Sequence, residues 1–245
     1  MGLFDVFKSK GADKKGDKSP AAKWAEAAGN KRAQNYDRQE ALAALAEMGT
    51  ADAAAALLKR FTFHMDPSIT DQEEKEVAFN GVLKAGMDAV EPVRTFAARA
   101  ESLAWPMRIL KELLAPDAYI DELVLWLSKW DTEYSKFVDP KIQLLVALGD
   151  LSSPKIRLAV EPFLEDVNEP ARFHAVVTTL AQEDEAAVPA LIRALSAEES
   201  FRVKNKLADG LAGRTWTIPQ DQREAAREAL PPGFSVDSTG RVTKR

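Results

Sequence analysis

The sequence predicts an all-α protein, a right-handed α-solenoid of about six antiparallel helix pairs. Three apolar segments in one frame indicate the repeat: AVEPVRTF begins at Ala89, AVEPFLED at Ala159 and AVPALIRA at Ala187. The first two starts are 70 residues apart and the last two 28, which fits two repeat lengths followed by one. Because a single helix pair cannot bury its own apolar face, we expect the pairs to stack around a continuous core.

Residues that favour helix ends divide this region. Asp139-Pro140 and Asn168-Glu169-Pro170 are typical of helix starts, where an acceptor side chain precedes a proline that has no N–H to leave unpaired. Capping boxes, each with Glu or Gln three residues later, are predicted at Thr70, Ser196 and Thr217. First helices should end near Gly49, Gly86 and Gly149, since glycine readily takes the left-handed cap.

These boundaries and the helical spacing of apolar residues predict six consecutive pairs. The predicted helices, first and second of each pair, are 36–48 and 51–62, 71–85 and 88–101, 104–115 and 117–130, 139–150 and 154–165, 168–182 and 184–196, 198–213 and 219–230. The predicted regions are a flexible amphipathic basic tail (1–20), a cap helix (21–35), the solenoid (36–230) and a C-terminal tail or small turn (231–245) with a short strand or turn at 234–236. Caps are needed because an end repeat would otherwise expose one core face.

Composition limits the class of protein. Of 245 residues, 46% are hydrophobic and 8% aromatic, which is enough for one extended domain. The chain has no cysteine, which excludes disulfides, thiol catalysis and cysteine metal sites. No apolar run is long enough for a membrane span or a signal-peptide core, so we expect a cytoplasmic protein.

Two segments of the predicted repeat carry a resemblance to a known family. NEPARFHAVVTTLAQEDEAAVPALIRAL (168–195) and ESFRVKNKLADGLA (199–212) are similar to bacterial HEAT-like repeats of the type named after phycobilisome lyases. The resemblance covers about residues 36–230 and implies a solenoid fold. It implies a role in binding other proteins rather than lyase chemistry, because such repeats are mostly binding scaffolds.

The sequence contains no constellation typical of catalysis. The two histidines, His64 and His174, belong to different repeats, and we expect each to be packed or half-buried rather than a ligand. The carboxylates Glu73, Glu74 and Glu76 stand at a predicted helix start, where they compensate the helix dipole. No phosphate loop, nucleophile elbow or metal-ligand spacing occurs, so we expect no cofactor, no metal and no enzymatic activity.

The alternative from another functional class is a HEAT-like alkylpurine DNA glycosylase, which this chain resembles in length, helical repeat and tryptophan content. Such enzymes act in a basic groove with aromatic side chains beside a carboxylate, a role open to Trp126, Trp130 and Asp131. The predicted second helices, expected on the concave side, are however net acidic, and 117–130 is the most acidic of them. Because phosphate binding needs clustered Lys and Arg, this charge disfavours a nucleic-acid partner.

An aromatic segment from Pro116 to Phe137 contains the candidates for a binding surface. Its helix is apolar nearly all round, so it is either buried on both faces in the middle of the stack or covered by a partner. The protein-binding candidates are Tyr119, Trp126, Trp130, Asp121 and Glu122. In the second case the tyrosine and the tryptophans form the hot spot, because these residues are favoured at interfaces.

The first residues differ in charge from the rest of the chain. Residues 1–23 contain six lysines against three aspartates, although the whole chain has a net charge of −5. Apolar and cationic residues at helical spacing predict an amphipathic segment that suits an anionic membrane surface. The membrane-contact candidates are Leu3, Phe4, Val6, Phe7, Lys8 and Lys10. In the two alternatives, the tail caps the first repeat or docks on a partner protein.

The sequence therefore predicts a non-enzymatic adaptor or scaffold. It would present the concave surface of a HEAT-like solenoid to a protein partner, with aromatic anchors and modest electrostatic steering. Its N-terminal tail would hold it peripherally at the inner face of a membrane, within the cytoplasm.

Overall fold

The computed structural model describes residues 19–244, so the six predicted membrane-contact residues lie outside the described part of the chain. The chain forms two compact units, Met1–Val93 and Arg94–Arg245. Residues 19–244 contain thirteen α-helices and one two-stranded hairpin. The prediction of a mainly helical protein is confirmed.

The first unit contains four α-helices and the start of a fifth. They are α1 (Ala22–Ala28), α2 (Asn35–Met48), α3 (Ala51–Leu58), α4 (Ser68–Lys84) and α5 (Val90–Ala97), whose last residues belong to the second unit. Short 3-10 turns follow α3 at Lys59–Thr62 and precede α5 at Gly86–Ala89. Helix α1 packs on α2 and α3.

The second unit contains the remaining helices and the hairpin. The helices are α6 (Ala104–Leu113), α7 (Pro116–Leu127), α8 (Asp139–Gly149), α9 (Pro154–Val160), α10 (Glu169–Ala181), α11 (Val188–Ala197), α12 (Phe201–Ala212) and α13 (Arg223–Ala229). Its 3-10 turns are Glu161–Glu165, Glu185–Ala187 and Gln220–Gln222. The strands are β1 (Phe234–Val236) and β2 (Val242–Lys244), which pair antiparallel.

A helical segment lies in every range that the sequence predicted, but several helix starts differ. The prediction of a capping box at Thr70 is wrong, because α4 begins at Ser68, directly after its N-cap residue Pro67. The box at Ser196 is also wrong: its hydroxyl donates to the Ile192 carbonyl inside α11. Glycine as a helix cap is confirmed at two of three positions, since the backbone is left-handed at Gly49 and Gly86 but not at Gly149.

The start at Thr217 is likewise wrong, and the true cap of α12 lies beyond Ser196. The last pair begins with the 3-10 turn Gln220–Gln222, whose N-cap position is Pro219, and a proline side chain has no oxygen to accept a capping hydrogen bond. The N-cap of α12 is Ser200, whose hydroxyl accepts from the Val203 N–H at 3.5 Å. The spacing favoured Ser196 over Ser200, because Glu199 completes a capping box after Ser196 whereas Val203 does not complete one after Ser200.

The core of the first unit depends on a close helix crossing. Helix α4 packs on α2 and α3, and Gly81 of α4 lies at the crossing. A Cβ atom at this position would lie 2.7 Å from Ala46 and 2.7 Å from Leu57, so the absence of a side chain sets the distance between the helices.

Beside this crossing lies a buried cluster of charged side chains that the sequence did not reveal. Arg38 and Arg60 are fully buried, and both donate to the carboxylate of Glu74 at 2.7–2.9 Å. Arg60 and Lys75 also donate to Asp71, at 2.8 and 2.7 Å. The expectation that Glu74 only compensates a helix dipole is therefore wrong, because its side chain is 2% exposed and is held by two guanidinium groups.

This environment changes how the two acids titrate. Burial alone would raise the pKa of Asp71, but hydrogen bonds from Lys75 and Arg60 lower it to about 2. Burial also acts to raise the pKa of Glu74, and the hydrogen bonds from Arg38 and Arg60 outweigh it, so this pKa too is lowered. Both carboxylates are therefore ionised at neutral pH and stabilise the buried cations.

In the second unit, the first helices of successive pairs pack side by side: α8 on α10, and α10 on α12. Buried ion pairs join the same elements. Lys141 of α8 donates to Asp166 at 2.6 Å, and Arg172 of α10 donates to Glu198 at 2.8 Å. Each carboxylate also accepts the backbone N–H two residues further on, at the start of the next helix. One acid thus ties a helix pair to the pair that follows.

The C-terminal residues form a hairpin rather than a free tail. Strand β2 packs on α12 and β1 on α13, and the Ile218 N–H donates to the Gly240 carbonyl at 2.9 Å. Asp237 closes the turn by accepting the N–H groups of Thr239 and Arg241, which lower its pKa. The short strand or turn predicted at 234–236 is confirmed as a strand.

Candidate functional site

The second unit contains a cleft of about 420 Å³ with an aromatic wall. We call it the aromatic cleft. Its lining residues are Arg94, Ala97, Ala98, Arg99, Ala100, Glu101, Leu103, Trp126, Lys129, Trp130, Phe137 and Pro140. They come from the end of α5, the end of α7, the segments that follow each of these helices and the start of α8.

Local hydrogen bonds fix the walls of the aromatic cleft. The Leu103 N–H donates to the side-chain oxygen of Gln143 at 2.6 Å, which holds the segment after α5 against α8. Beyond α7 the chain continues for one tight turn, in which the Trp130 N–H donates to the Leu127 carbonyl at 3.0 Å. The following segment is held by the Val167 N–H, which donates to the Thr132 carbonyl at 2.9 Å. The cleft is therefore preformed by backbone contacts.

The three aromatic side chains of the cleft differ in exposure. Trp126 is 5% exposed and offers only an edge to the cleft. Trp130 is half-buried, with the Lys141 ammonium 5.9 Å from its ring centre. Phe137 is 65% exposed and stands at the rim, with Lys136 5.4 Å from its ring centre. The cleft thus combines a fixed apolar base with an aromatic side chain open to solvent.

Cations dominate the rim of the aromatic cleft. Arg94 is paired with Glu122, to which it donates three hydrogen bonds of 2.6–3.1 Å. Arg99, Lys129 and Glu101 are exposed, and none of them makes a side-chain hydrogen bond or ion pair with a residue in the described range 19–244. Two cations and one carboxylate are therefore free to meet a ligand, which favours an anionic group.

The structure brings together two of the five predicted protein-binding residues. Trp126 and Trp130 line the aromatic cleft. Tyr119 does not line the cleft: its side chain is buried, with 6% exposed, and burial raises the pKa of its hydroxyl. Glu122 is buried beneath Arg94, and Asp121 is on the surface, where it accepts from Lys155 at 2.5 Å.

Sequence reasoning missed the cationic side of the cleft. Arg94 and Arg99 lie in a predicted second helix whose net charge is negative. The net charge of that helix therefore did not indicate a cationic surface. Phe137 belongs to the connection before α8, whose unusual length was the available signal.

Within residues 19–244, no group of three or more His, Cys, Asp and Glu side chains is placed to hold a metal ion. The expectation that His64 is packed or half-buried is wrong, because its side chain is 89% exposed; its Nδ1 lies 3.0 Å from the Lys75 Nζ. His174 is half-buried, and desolvation followed by the charge of Arg202 lowers its pKa. The two imidazoles lie in different units.

No helix in residues 19–244 has both the length and the apolar composition needed to cross a bilayer. Comparison with protein-family models, with curated proteins and with solved structures finds no match to this chain. The aromatic cleft is therefore the feature of this chain that bears most directly on its function.

Proposed function

We propose that this protein is a non-enzymatic binding scaffold and that the aromatic cleft takes an apolar side chain of a protein partner. The observation that carries the proposal is the combination of Trp126, Trp130 and Phe137 with two unpaired cations in one cleft. Tryptophan and arginine are the residues most enriched at binding hot spots, and a base that excludes water strengthens both kinds of contact.

The chemistry of the cleft defines its partner. An aromatic or large aliphatic side chain would fill a cavity of about 420 Å³ in part, and the open Phe137 would close over it. An Asp or Glu next to this anchor would meet Arg99 and Lys129 at the rim. We therefore propose a partner segment in which an apolar anchor is flanked by carboxylates.

We also propose that, within each unit, the helix pairs stack as a right-handed HEAT-like α-solenoid. The packing of α8, α10 and α12 in succession supports this arrangement, as do the buried ion pairs that join consecutive pairs. A solenoid presents its surface as a series of similar positions, so one of them can acquire a binding cleft while its neighbours keep only packing roles.

The proposed location is the cytoplasm, with the N-terminal tail in contact with the inner face of a membrane. Its support is the sequence of residues 1–20, in which lysines follow an apolar cluster. Co-sedimentation with vesicles that contain anionic lipid tests this proposal, with the full chain compared to a Leu3→Ser/Phe4→Ser/Phe7→Ser variant. Equal pelleting of the two proteins would remove the membrane contact.

A peptide-library selection tests the proposed binding function. Full-length protein is the bait, and Trp130→Ala/Arg99→Glu protein is used to discard peptides that bind elsewhere. The proposal expects enriched peptides to share an aromatic or large aliphatic residue beside Asp or Glu. Peptides without this pattern, or with equal affinity for both proteins, would contradict it.

A nucleic-acid partner is the competing outcome, because aromatic side chains and cations also suit stacked bases and phosphate. A gel shift at low salt with single- and double-stranded DNA distinguishes the two. If the protein retains DNA and Trp130→Ala does not, the partner of the cleft is a nucleic acid rather than a protein. The scaffold proposal expects no retention by either protein.

A further inference from the structure

A second surface of the same unit is formed by the three segments that precede or begin α8, α10 and α12. Each segment carries one large exposed apolar side chain: Tyr134 is 73% exposed, Val167 57% and Phe201 77%. They are 33 and 34 residues apart in sequence, so one occurs at the start of each of three successive helix pairs. We call these three residues the edge stripe.

Hydrogen bonds show that the members of the edge stripe lie on neighbouring segments. The Val167 N–H donates to the Thr132 carbonyl at 2.9 Å, which places the segment of Val167 beside that of Tyr134. The Ser200 hydroxyl donates to the Glu169 side chain at 3.0 Å, which joins the start of α12 to the start of α10. The stripe therefore runs across three successive helix starts.

A groove of about 350 Å³ lies beside the last two of these segments. We call it the edge groove. Its lining includes the apolar side chains of Leu164, Ala194 and Ala197 and the carboxylates of Glu165 and Glu199. Val167 belongs to both the edge stripe and the edge groove, so the two form one surface. A continuous exposed apolar surface beside a groove is typical of a site that binds a partner.

Each of the three segments also carries an exposed carboxylate, one or two residues before its apolar side chain. These carboxylates belong to Glu133, Glu165 and Glu199. None of their side chains forms a hydrogen bond or an ion pair with another residue of the described range 19–244. The edge stripe thus combines one open apolar side chain and one unpaired acid at every helix start.

Three cations of the same segments are engaged elsewhere. Arg172 donates to the buried Glu198 at 2.8 Å, and Arg202 donates to Glu169 at 3.1 Å. Lys136 lies over the rim phenylalanine of the aromatic cleft, 5.4 Å from its ring centre. The free charge of the edge stripe and the edge groove is therefore negative, whereas the free charge of the aromatic cleft is positive, so the two surfaces select different partners.

We propose that the edge stripe and the edge groove bind a segment of a second partner protein in which Lys or Arg residues stand between regularly spaced apolar residues. The apolar residues would cover the stripe and enter the groove, and the cations would meet the three free carboxylates. This contact does not involve the aromatic cleft, so it is independent of the partner proposed for that cleft.

The same charges disfavour other occupants of this surface. Nucleic acids and anionic membranes would be repelled by Glu133, Glu165 and Glu199, because both classes of partner are bound through clustered cations. A second copy of the chain in a symmetric contact would bring its own three carboxylates against these three, and like charges placed together at an interface are unfavourable.

The spacing of the helix starts defines the spacing of the anchors. Packed helices lie about 8–10 Å apart, and α8, α10 and α12 pack in succession. An extended chain advances about 3.3 Å per residue, so an extended partner segment would place an apolar residue on each helix start at about every third position. The positions between these anchors are open to Lys or Arg.

Selection from a random library of peptides of about twelve residues tests the proposal, since this length spans all three helix starts. The full-length protein is the bait. Phe201→Ser/Glu165→Gln/Glu199→Gln protein, whose aromatic cleft is unchanged, is used first to discard peptides that bind elsewhere. We expect the enriched peptides to carry Lys or Arg between apolar residues.

Fluorescence anisotropy with one labelled peptide from this selection then measures the contribution of each group. Phe201→Ser alone and Glu165→Gln/Glu199→Gln alone should each lower the affinity by at least about tenfold. Trp130→Ala should leave the affinity unchanged, because Trp130 lines the aromatic cleft and not the edge groove. Loss of binding in Trp130→Ala would assign the peptide to the aromatic cleft and contradict the proposal.

Two control variants match the substitutions. Leu158→Ser removes a side chain that is 63% exposed on α9 and belongs to neither the stripe nor the groove. Glu112→Gln/Glu228→Gln removes two exposed carboxylates of α6 and α13 and so changes the net charge equally. Both controls should keep the affinity within about twofold of the original. An equal loss in the second control would show that binding follows net charge alone.

Three further results would overturn the proposal. Enriched peptides without Lys or Arg would show that the free carboxylates do not select the partner. Unchanged affinity in Phe201→Ser, with the fold unchanged by circular dichroism, would show that the edge stripe is not the contact. A full-length protein that is dimeric by sedimentation velocity, and monomeric with Phe201→Ser, would make a second copy the occupant.

Discussion

Lys141 and Asp166 form an ion pair with no exposed side-chain surface: the ammonium nitrogen lies 2.6 Å from a carboxylate oxygen. Lys141 also donates to the Asp131 carbonyl, and Asp166 also accepts the Asn168 N–H. Every polar atom of the pair thus has a partner. The pair joins α8 to the start of α10, and its ammonium lies 5.9 Å from the ring centre of Trp130, which lines the aromatic cleft.

Asp166→Ala should therefore destabilise the second unit strongly. It leaves the Lys141 ammonium buried without a counter-charge, which typically costs about 3–5 kcal/mol in unfolding free energy. Urea unfolding followed by circular dichroism measures the change. The double variant Lys141→Met/Asp166→Asn should recover much of the loss, because it removes the charge and keeps an acceptor for Asn168.

The control for this pair is Asp121→Ala. Asp121 and Lys155 form an ion pair of similar length, but both side chains are more than half exposed. Surface pairs of this kind contribute about 0–1 kcal/mol. Equal losses in Asp166→Ala and Asp121→Ala would mean that burial of the first pair does not control its contribution.

Gly81→Ala should destabilise the first unit by about 1–3 kcal/mol through overpacking. The new methyl group would lie 2.7 Å from both Ala46 and Leu57, and Ala46 cannot move away because the contact includes its backbone. Thermal unfolding of the variant measures the effect.

Gly213→Ala is the matched control for this substitution. Its new methyl group would meet nothing closer than 3.4 Å, and its backbone is not left-handed. The control should therefore leave stability unchanged or raise it slightly, because alanine restricts the unfolded chain. A Gly81→Ala protein as stable as this control would show that the helix crossing tolerates a side chain.

Stability should fall in acid as Asp71 becomes protonated. Its pKa is about 2 in the folded protein against an ordinary value of 3.8, so folding favours the ionised form. The stabilisation is complete above about pH 5 and is lost as the pH falls from about 5 through 2. Urea unfolding across this range, with Asp71→Asn for comparison, tests the assignment.

The asparagine variant should have a lower stability at neutral pH and a smaller slope of unfolding free energy against pH. Asp52→Asn, an exposed residue in the first turn of α3, should keep the slope of the original protein. Parallel curves for Asp71→Asn and the original protein would assign the acid sensitivity to other carboxylates.

Reversing the free positive charges of the aromatic cleft should weaken the binding of a selected acidic peptide. Arg99→Glu/Lys129→Glu is expected to lower its affinity by at least about tenfold, which corresponds to about 1.4 kcal/mol. Fluorescence anisotropy with a labelled peptide gives the dissociation constant. Both residues are exposed, so the fold and the melting temperature should not change.

Lys155→Glu/Lys204→Glu provides a control with the same change in net charge. Neither lysine lines the aromatic cleft, so only the general attraction for an acidic peptide should change. A similar loss of affinity in both double variants would show that binding follows net charge rather than the cleft.

Much of the helical order was predictable from local residues. Pro140, Pro154 and Pro170 mark helix starts at which a missing N–H has no consequence, and Gly49 and Gly86 mark ends that need a left-handed backbone. These effects act within one turn of helix, so they are visible in a single sequence.

The buried cluster around Glu74 could not be predicted in this way. Arg38, Arg60 and Glu74 come from three segments, and in sequence each is indistinguishable from an exposed charge on a helix surface. The aromatic cleft was predictable in part, since the tryptophans of 117–130 indicated a surface. Its cations became apparent only when the end of α5 was placed beside α7.

The sequence by itself determined that this chain is mainly helical, where most helices lie and that its first residues are amphipathic and basic, because these properties depend on neighbours a few residues apart. Only the tertiary structure decided which charges are buried, which aromatic side chains remain open and which surfaces carry an excess of one sign. Those properties depend on desolvation and on contacts between residues far apart in sequence, such as Lys141 and Asp166, 25 positions apart, and Leu103 and Gln143, 40 positions apart.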